Sequence, residues 1–299
     1  NYRPNVSARN LARQRSCLIG LIYDDPSFYE IPSAGYVISM QLGALRACRT
    51  ADHELLIHPC NYRNKDIGGE LSALIEQARP IGIILAAPLS NMPKIVRAIQ
   101  ATGTPLVRIS QGKKKNDPLA VSTNDREISA EMTRYLASLG HRRIAFIKGH
   151  PSHKAVGNRY RGYLDGLRQS GLTLDEKLVA EGDNSFESGE SAAMGLLKKK
   201  RRPTAIFAAN DDMAAGVIRA TRLLGVEVPG QVSVAGCDDI SLARQLCPTL
   251  TTIRQPLSAM AERAAMLLIG TAHAEADTRG TEIVPAKLKI RESTGPAPG

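Results

Sequence analysis

Two hydrophobic periods alternate along most of this chain. Nearly unbroken apolar runs recur at LIGLIY (18–23), ELLIHP (54–59), IGIILAAP (81–88), PLVRIS (105–110), RIAFIKG (143–149), TAIFAAN (204–210) and VSVAG (232–236). Their length and continuity predict parallel strands covered on both faces. Between them lie stretches with helical spacing. YVISMQLGALRACRTA (36–51) places Val37, Met40, Leu42, Ala44, Leu45 and Cys48 on one broad face. EISAEMTRYLASLG carries Ile128, Met132, Tyr135, Leu136 and Leu139 and closes on Gly140, while DDMAAGVIRATRLLG carries Met213, Val217, Ile218 and Leu224 and closes on Gly225. A glycine just past the last apolar position is a helix stop.

Strand and helix in regular succession predict an α/β fold of doubly wound parallel sheets. The series restarts near residue 120, and the simplest division gives two domains of about 120 to 140 residues. Ligands of such sheets bind outside the carboxyl ends of the strands. The segments that follow strands are therefore the candidates for chemistry: DDPS (24–27), GHPSHK (149–154), NDD (210–212) and DD (238–239).

The totals sharpen this picture in three respects. A chain of 299 residues with 43% hydrophobic and 23% charged residues buries a sizeable core. It contains no apolar run of about 18 residues and no signal-peptide pattern, so the expectation is a cytoplasmic protein without a membrane partner. The five cysteines, Cys17, Cys48, Cys60, Cys237 and Cys247, are odd in number and widely spaced with no C-x-x-C. That points away from a disulfide framework or zinc site, and Cys17, Cys60 and Cys237, which sit in apolar strand-like runs, read as small buried side chains. The net charge of +10 is concentrated in residues 1–16, which hold four arginines and no acid, and in KKK (113–115) and KKKRR (198–202). The two lysine runs read as solvated loops or helix ends, although a basic balance also suits nucleic acid.

Several activities lack their motif. There is no phosphate-binding G-x-x-x-x-G-K-[ST], no G-x-G-x-x-G after a strand, no G-x-S-x-G elbow and no H-E-x-x-H. Nothing names a cofactor, a metal or a catalytic residue. The acid pairs Asp24/Asp25, Asp211/Asp212 and Asp238/Asp239 follow strands; in each, one ligand-facing residue and one helix cap is the preferred reading over hydrolysis. Carboxylates, amides and an arginine around a cleft also suit a polyol, because every sugar hydroxyl both donates and accepts. Arg159, early in NRYRGY (158–163), is the candidate donor, with a plain surface arginine as the alternative.

Seven segments, in order, resemble the lac repressor/galactose repressor family of bacterial transcription regulators: YRPNVSARNL (2–11), LGHRRIAFIKG (139–149), RYRGY (159–163), PTAIFAANDDMAAG (203–216), VPGQVSVAGCDDISLA (228–243), PTLTTIRQP (248–256) and IRES (290–293). The resemblance covers essentially the whole chain. It implies two doubly wound subdomains joined by three crossovers, as in periplasmic sugar-binding proteins, with crossovers near Ser122–Thr123, Ile253–Gln255 and Ile283–Pro285. The implied domains are a hinge segment (1–16), an N-terminal subdomain (17–122 plus 254–284) and a C-terminal subdomain (123–253 plus 285–299), with the helix-turn-helix domain missing from this chain. It further implies a homodimeric, non-enzymatic repressor that binds operator DNA in its full-length form and carries a small carbohydrate effector between its subdomains.

Carried over residue by residue, the resemblance assigns effector contacts to Asp24, Tyr36, Val37, Asn124, Asp125, His153, Arg159, Asn210 and Asp238. It assigns DNA contacts in the hinge to Asn5, Ala8, Arg9, Leu11 and Arg13, with Leu11 as a minor-groove wedge. The residues themselves agree that 1–16 is a marginal helix that orders on a partner. There are departures from the family pattern. Asn184 stands where many relatives place a stacking aromatic, with Phe186 two residues on, the loop after the first strand is long, and His150 and His153 add polarity. A sugar or glycoside fits these differences better than a purine. A transporter's sugar-binding protein would share the fold but lack YRPNVSARNL, and a hydrolase would need a nucleophile that no motif supplies.

Overall fold

The computed structural model describes residues 16–24, 35–109, 119–271 and 280–299. The chain forms two compact units. The first draws its described residues from Asn1–Glu30, Val37–Ser122 and Leu257–Val284, and the second from Ile31–Tyr36, Thr123–Pro256 and Pro285–Gly299. The basic segment 1–15 and the KKK run at 113–115 lie outside the described residues. Among the described residues, no helix is long and apolar enough to cross a membrane.

The first unit is built on strands β1 (Leu18–Asp24), β2 (Glu54–Cys60), β3 (Gly82–Leu85), β4 (Leu106–Ile109), β5 (Ala120–Ser122) and, from late in the chain, β11 (Thr281–Ile283). Their spatial order is β11-β5-β4-β3-β1-β2, and every pairing is parallel. Helices α1 (Gly35–Thr50), α2 (Ile67–Ala78), α3 (Pro93–Ala101) and α9 (Leu257–Thr271) accompany this sheet. Ile22, Ile83 and Leu85 from the strands meet Leu71, Ile75, Ile95 and Ile99 from α2 and α3 in one core. The central strands β3 and β4 are buried throughout, as their unbroken apolarity predicts.

Two patterns of the sequence resolve differently here. ELLIHP reads as a buried strand, but β2 is an edge strand and only Cys60 in it is buried. Leu42, placed on the apolar face of α1, is 55% exposed, while Gly43 takes the inward position. Backbone of α9 comes so close to Gly43 that a side chain there would strike the Ser258 carbonyl.

The second unit contains β6 (Ile144–Ile147), β7 (Val179–Ala180), β8 (Ala205–Ala208), β9 (Ser233–Asp238), β10 (Thr251–Arg254) and β12 (Lys287–Lys289) in the order β12-β10-β9-β8-β6-β7. All neighbours are parallel except β12, which runs antiparallel to β10. Its helices are α4 (Asp125–Ser138), α5 (Lys154–Gln169), α6 (Phe186–Leu197), α7 (Asp211–Leu223) and the short α8 (Leu242–Gln245). Both glycine stops behave as the pattern predicts: Gly140 (φ 92) and Gly225 (φ 65) take the left-handed conformation just beyond α4 and α7. Strand order reverses between β6 and β8, so the carboxyl ends of β6, β8 and β9 open on the position where α/β sheets hold ligands.

RYRGY serves this packing directly. Tyr163 is buried beside Phe146, ring centroids 5.0 Å apart, and its hydroxyl donates to the Ile144 carbonyl at 2.9 Å. Gly162 faces α4, where an added Cβ would stand 2.7 Å from Ser129 Cβ and closer still to the Arg126 carbonyl oxygen. Backbone of α4 offers no room to yield. Gly162→Ala is therefore expected to destabilise the second unit by about 1–3 kcal/mol through overpacking. Equilibrium unfolding in urea checks this, as a lower midpoint at unchanged slope.

Candidate functional site

At the carboxyl edge of the second sheet a guanidinium is buried among carboxylates. Arg159, one and a half turns into α5, leaves 6% of its side chain exposed. Its Nε donates to Asp125 Oδ1 at 3.0 Å and its Nη1 to the Ala209 carbonyl at 2.5 Å, while Nη2 faces Asp238 Oδ1 at a looser 3.5 Å. Asp125 opens α4 and Ala209 follows β8, so three separate chain segments end on one cation. Gln255, just past β10, donates from Nε2 to the same Asp238 oxygen at 2.7 Å.

Asp238 and Asp239 lie at φ 124 and φ 55, which L-residues adopt only where surrounding structure holds them. Asp239 provides the hold. Its side chain is 1% exposed, Arg291 Nη2 donates to its Oδ1 at 2.6 Å, and Arg254 Nε donates to its Oδ2. With Asp239 turned inwards, its neighbour Asp238 is turned towards Arg159.

Asp211 is the third carboxylate of the cluster. It is wholly buried, and it accepts from Ile240 N at 3.0 Å and Thr252 Oγ1 at 2.5 Å. Burial, and then the nearby Asp238 charge, push its carboxyl well above the ordinary carboxylate range. Burial raises Asp125 and Asp238 as well, with Arg159 pulling both back. The Cys237 thiol is likewise raised by burial, and Arg159 opposes the shift. Burial also works against the charge on Arg159 itself, but the carboxylates of Asp238 and Asp125 outweigh it and keep the guanidinium protonated.

The remaining candidates occupy distinct places. Asn210 caps α7, its Oδ1 accepting from Met213 N at 3.0 Å, and its Nδ2 donates to the Asn184 carbonyl at 2.9 Å. In the NDD segment the asparagine is thus the cap, and Asp211 takes a buried role that the cap-plus-ligand reading did not give it. Asn124 accepts from Ala286 N at 2.8 Å and bonds no helix N–H. His153 stands at the N-terminus of α5, its Nδ1 3.3 Å from Ser152 Oγ and 3.5 Å from Asn184 Nδ2. Burial, then the neighbouring His150 and Arg159, bring its pKa down to about 4, so the ring is neutral at physiological pH. Tyr36 groups with this unit, and burial followed by the Asp238 charge pushes its phenol up.

Asp24 and Val37 belong to the first unit. Asp24 ends β1 and accepts Tyr62 N at 3.1 Å, and Val37 is buried on α1. The hinge candidates Asn5, Ala8, Arg9, Leu11 and Arg13 lie outside the described residues. Sequence names Asp211 and Asp239 only as members of acid pairs and does not offer Gln255 or Thr252 as site residues. Gln255 could have been one, because it follows a strand end within PTLTTIRQP.

A carboxyl raised in the folded state takes up a proton on folding. Its contribution favours the native state below the ordinary value, 3.8 for Asp, and is lost as pH rises through the raised value. Asp211→Asn keeps an acceptor for Thr252 and removes that titration. Its unfolding free energy is expected to fall less between pH 4 and pH 8 than that of the parent, as measured by urea denaturation across the range. Identical pH profiles would remove Asp211 from the account.

Residues 133–294 match the family described as periplasmic binding protein-like domain. The chain is 32% identical to the transcriptional repressor PurR of Yersinia enterocolitica over 100% of its own length and 86% of that protein's. It is 30% identical to the transcriptional regulator GalR of Escherichia coli strain K12, over 91% of this chain and 77% of GalR. A solved complex of the transcriptional regulator CelR with cellobiose shares the fold, with a TM-score of 0.85 at 23% identity over 97% of this chain and 92% of that one. From the domain match, and from relatives aligned along nearly its full length, the chain belongs to the lac repressor/galactose repressor family of transcription regulators.

Proposed function

We propose that this chain is the regulatory core of a repressor that binds operator DNA and is controlled by a small carbohydrate held at the carboxyl edge of its second unit. The observation that carries the reading is the loose Arg159–Asp238 pairing beside Gln255. A ligand hydroxyl seated there accepts from the guanidinium and donates to the carboxylate, which suits a polyol and leaves a purine with fewer partners. His153, Asn184 and Asn124 add neutral donors and acceptors, with Tyr36 beside them. The cellobiose carried by the CelR complex, a fold relative, is consistent with this class. The site binds and does not turn its ligand over, and the regulator works in the cytoplasm.

Control acts through a difference in effector affinity between two arrangements of a homodimer. Ile38 and Leu42 on α1 and Met266 on α9, each about half exposed in the first unit, supply apolar surface for self-association. The basic segment 1–16 joins this core to operator DNA. Arg9 and Arg13 meet phosphates, and Asn5 and Ala8 lie along the groove.

A thermal-shift series with cellobiose, other mono- and disaccharides and a purine base tests the effector class. A saccharide is expected to raise the melting temperature by mass action. A response to the purine alone would overturn the reading. Calorimetry with the responding sugar on Arg159→Ala and Asp238→Ala protein of parental circular dichroism should show affinity lower by roughly tenfold to a hundredfold, the worth of a charge-assisted hydrogen bond.

The hinge is tested separately. A wedge in the minor groove unstacks a base step at a cost of a few kcal/mol and regains it through contacts on bent DNA. In a protein carrying its DNA-reading domain, Leu11→Ala should weaken operator binding in gel-shift titrations while leaving effector affinity unchanged. Parental operator affinity would leave Leu11 with packing alone.

A further inference from the structure

Away from the arginine cluster, the first unit gathers three different donor types at the end of its edge strand. His58 and Cys60 alternate on one face of β2, two residues apart, as strand geometry requires. Glu70, in the first turn of α2, lies over that face with Oε1 3.3 Å from His58 Nε2. The imidazole nitrogen, the Cys60 sulfur and a Glu70 oxygen all lie within 4.8 Å of one another.

The connecting turn fixes this arrangement. Asn61 Oδ1 accepts Arg63 N at 2.9 Å and Asn64 Oδ1 accepts Asp66 N at 3.0 Å, so the turn is shaped by its own side chains. Asn64 then donates from Nδ2 to Glu70 Oε2 at 3.0 Å, holding the far carboxylate oxygen and leaving the near one towards His58. Metal-ligating carboxylates are oriented in this manner by a hydrogen bond to the oxygen that does not ligate. Burial, and then the charges of Glu70 and Asp24, push the Cys60 thiol up to about 12.

From this convergence of His58, Cys60 and Glu70 on one point, we infer a binding site for a divalent cation of the zinc class in the first unit. One nitrogen, one sulfur and one oxygen donor suit zinc at about 2.0–2.3 Å each, with water as a fourth ligand. The thiolate disfavours calcium and magnesium. His58 and Glu70 are not fully buried, so their side chains have room to close the trio to tetrahedral spacing. On binding, the Cys60 proton passes to solvent and a sulfur–metal bond takes its place. The bound ion would clip the outermost strand of the sheet to α2. The cysteine spacings hide this site, because it pairs a single cysteine with a histidine on a strand and an acid on the following helix.

Cobalt(II) is the probe. Metal-stripped protein titrated with Co2+ is expected to develop a thiolate-to-cobalt charge-transfer band and the visible bands of a four-coordinate ion at one equivalent, both bleached by Zn2+. Cys60→Ser should lose the charge-transfer band, and Cys247→Ser, at an exposed thiol, should keep it. His58→Gln and Glu70→Gln change residues outside the core and should weaken Co2+ binding at least about tenfold. Because binding releases the thiol proton, affinity should fall about tenfold for each unit of pH lowered. The inference is overturned if no charge-transfer band forms, if the band survives in Cys60→Ser, or if both glutamine variants bind Co2+ as the parent does.

Discussion

A full positive charge kept out of water constrains the second unit more than any other interaction. Removing a guanidinium from solvent costs several kcal/mol even after relaxation, unless partners of opposite charge and good geometry meet it. Arg159 is met by Asp125 from the start of α4, by the Ala209 carbonyl from the end of β8 and by Asp238 from the end of β9. Each partner arrives on a different element, so the elements are held at one spacing by a common requirement. The backbone at Asp238 departs from ordinary conformations to satisfy it. Asp239, fixed by Arg254 and Arg291, keeps that departure in place.

The same cluster separates what sequence shows from what it hides. Long apolar runs and glycine stops report burial and chain reversal, which are local properties, and the doubly wound parallel fold follows from them. The strands that escape notice are short or polar: β5, β11 and β12 have three residues each, β7 has two, and β10 has four of which only Ile253 is apolar. No period can be read over so few positions, and these strands exist because a neighbouring ladder offers hydrogen bonds. Burial on an edge is hidden for a related reason. ELLIHP is apolar enough for a central strand, and only the spatial order leaves β2 outermost.

Asp238 follows a strand and Arg159 lies in a helix that opens beside a strand end, so sequence could nominate both, Asp125 comes from the family resemblance, and the structure brings the three together. Asp211 and Asp239 belong to acid pairs that sequence also offers, but which member of a pair is tied into the scaffold depends on the hydrogen bonds that the fold brings to it. The quoted motifs also turn out to be mixed in role. His141 of LGHRRIAFIKG lies between Thr204 Oγ1 and Ser233 Oγ, 3.0 Å from each, with its pKa lowered by burial. Ser293 of IRES accepts from Thr251 N at 2.8 Å and donates to the Val234 carbonyl at 2.6 Å. Such residues mark the scaffold and stand apart from the charged cluster at the sheet edge.

The order in which the chain supplies its strands has a consequence for biosynthesis. Strand β11 and helix α9 complete the first sheet, yet the ribosome makes them only after nearly all of the second unit. Until then β5 presents an unpaired edge in the nascent chain, next to the face that α9 will cover. The second sheet waits as well, since β12 and the Ser293 clasp follow β11 in the chain. Neither unit can finish folding before its late strand emerges, so a strictly N-terminus-first order is closed to both. Protection of exposed strand edges during elongation therefore becomes a requirement that this topology places on the cell.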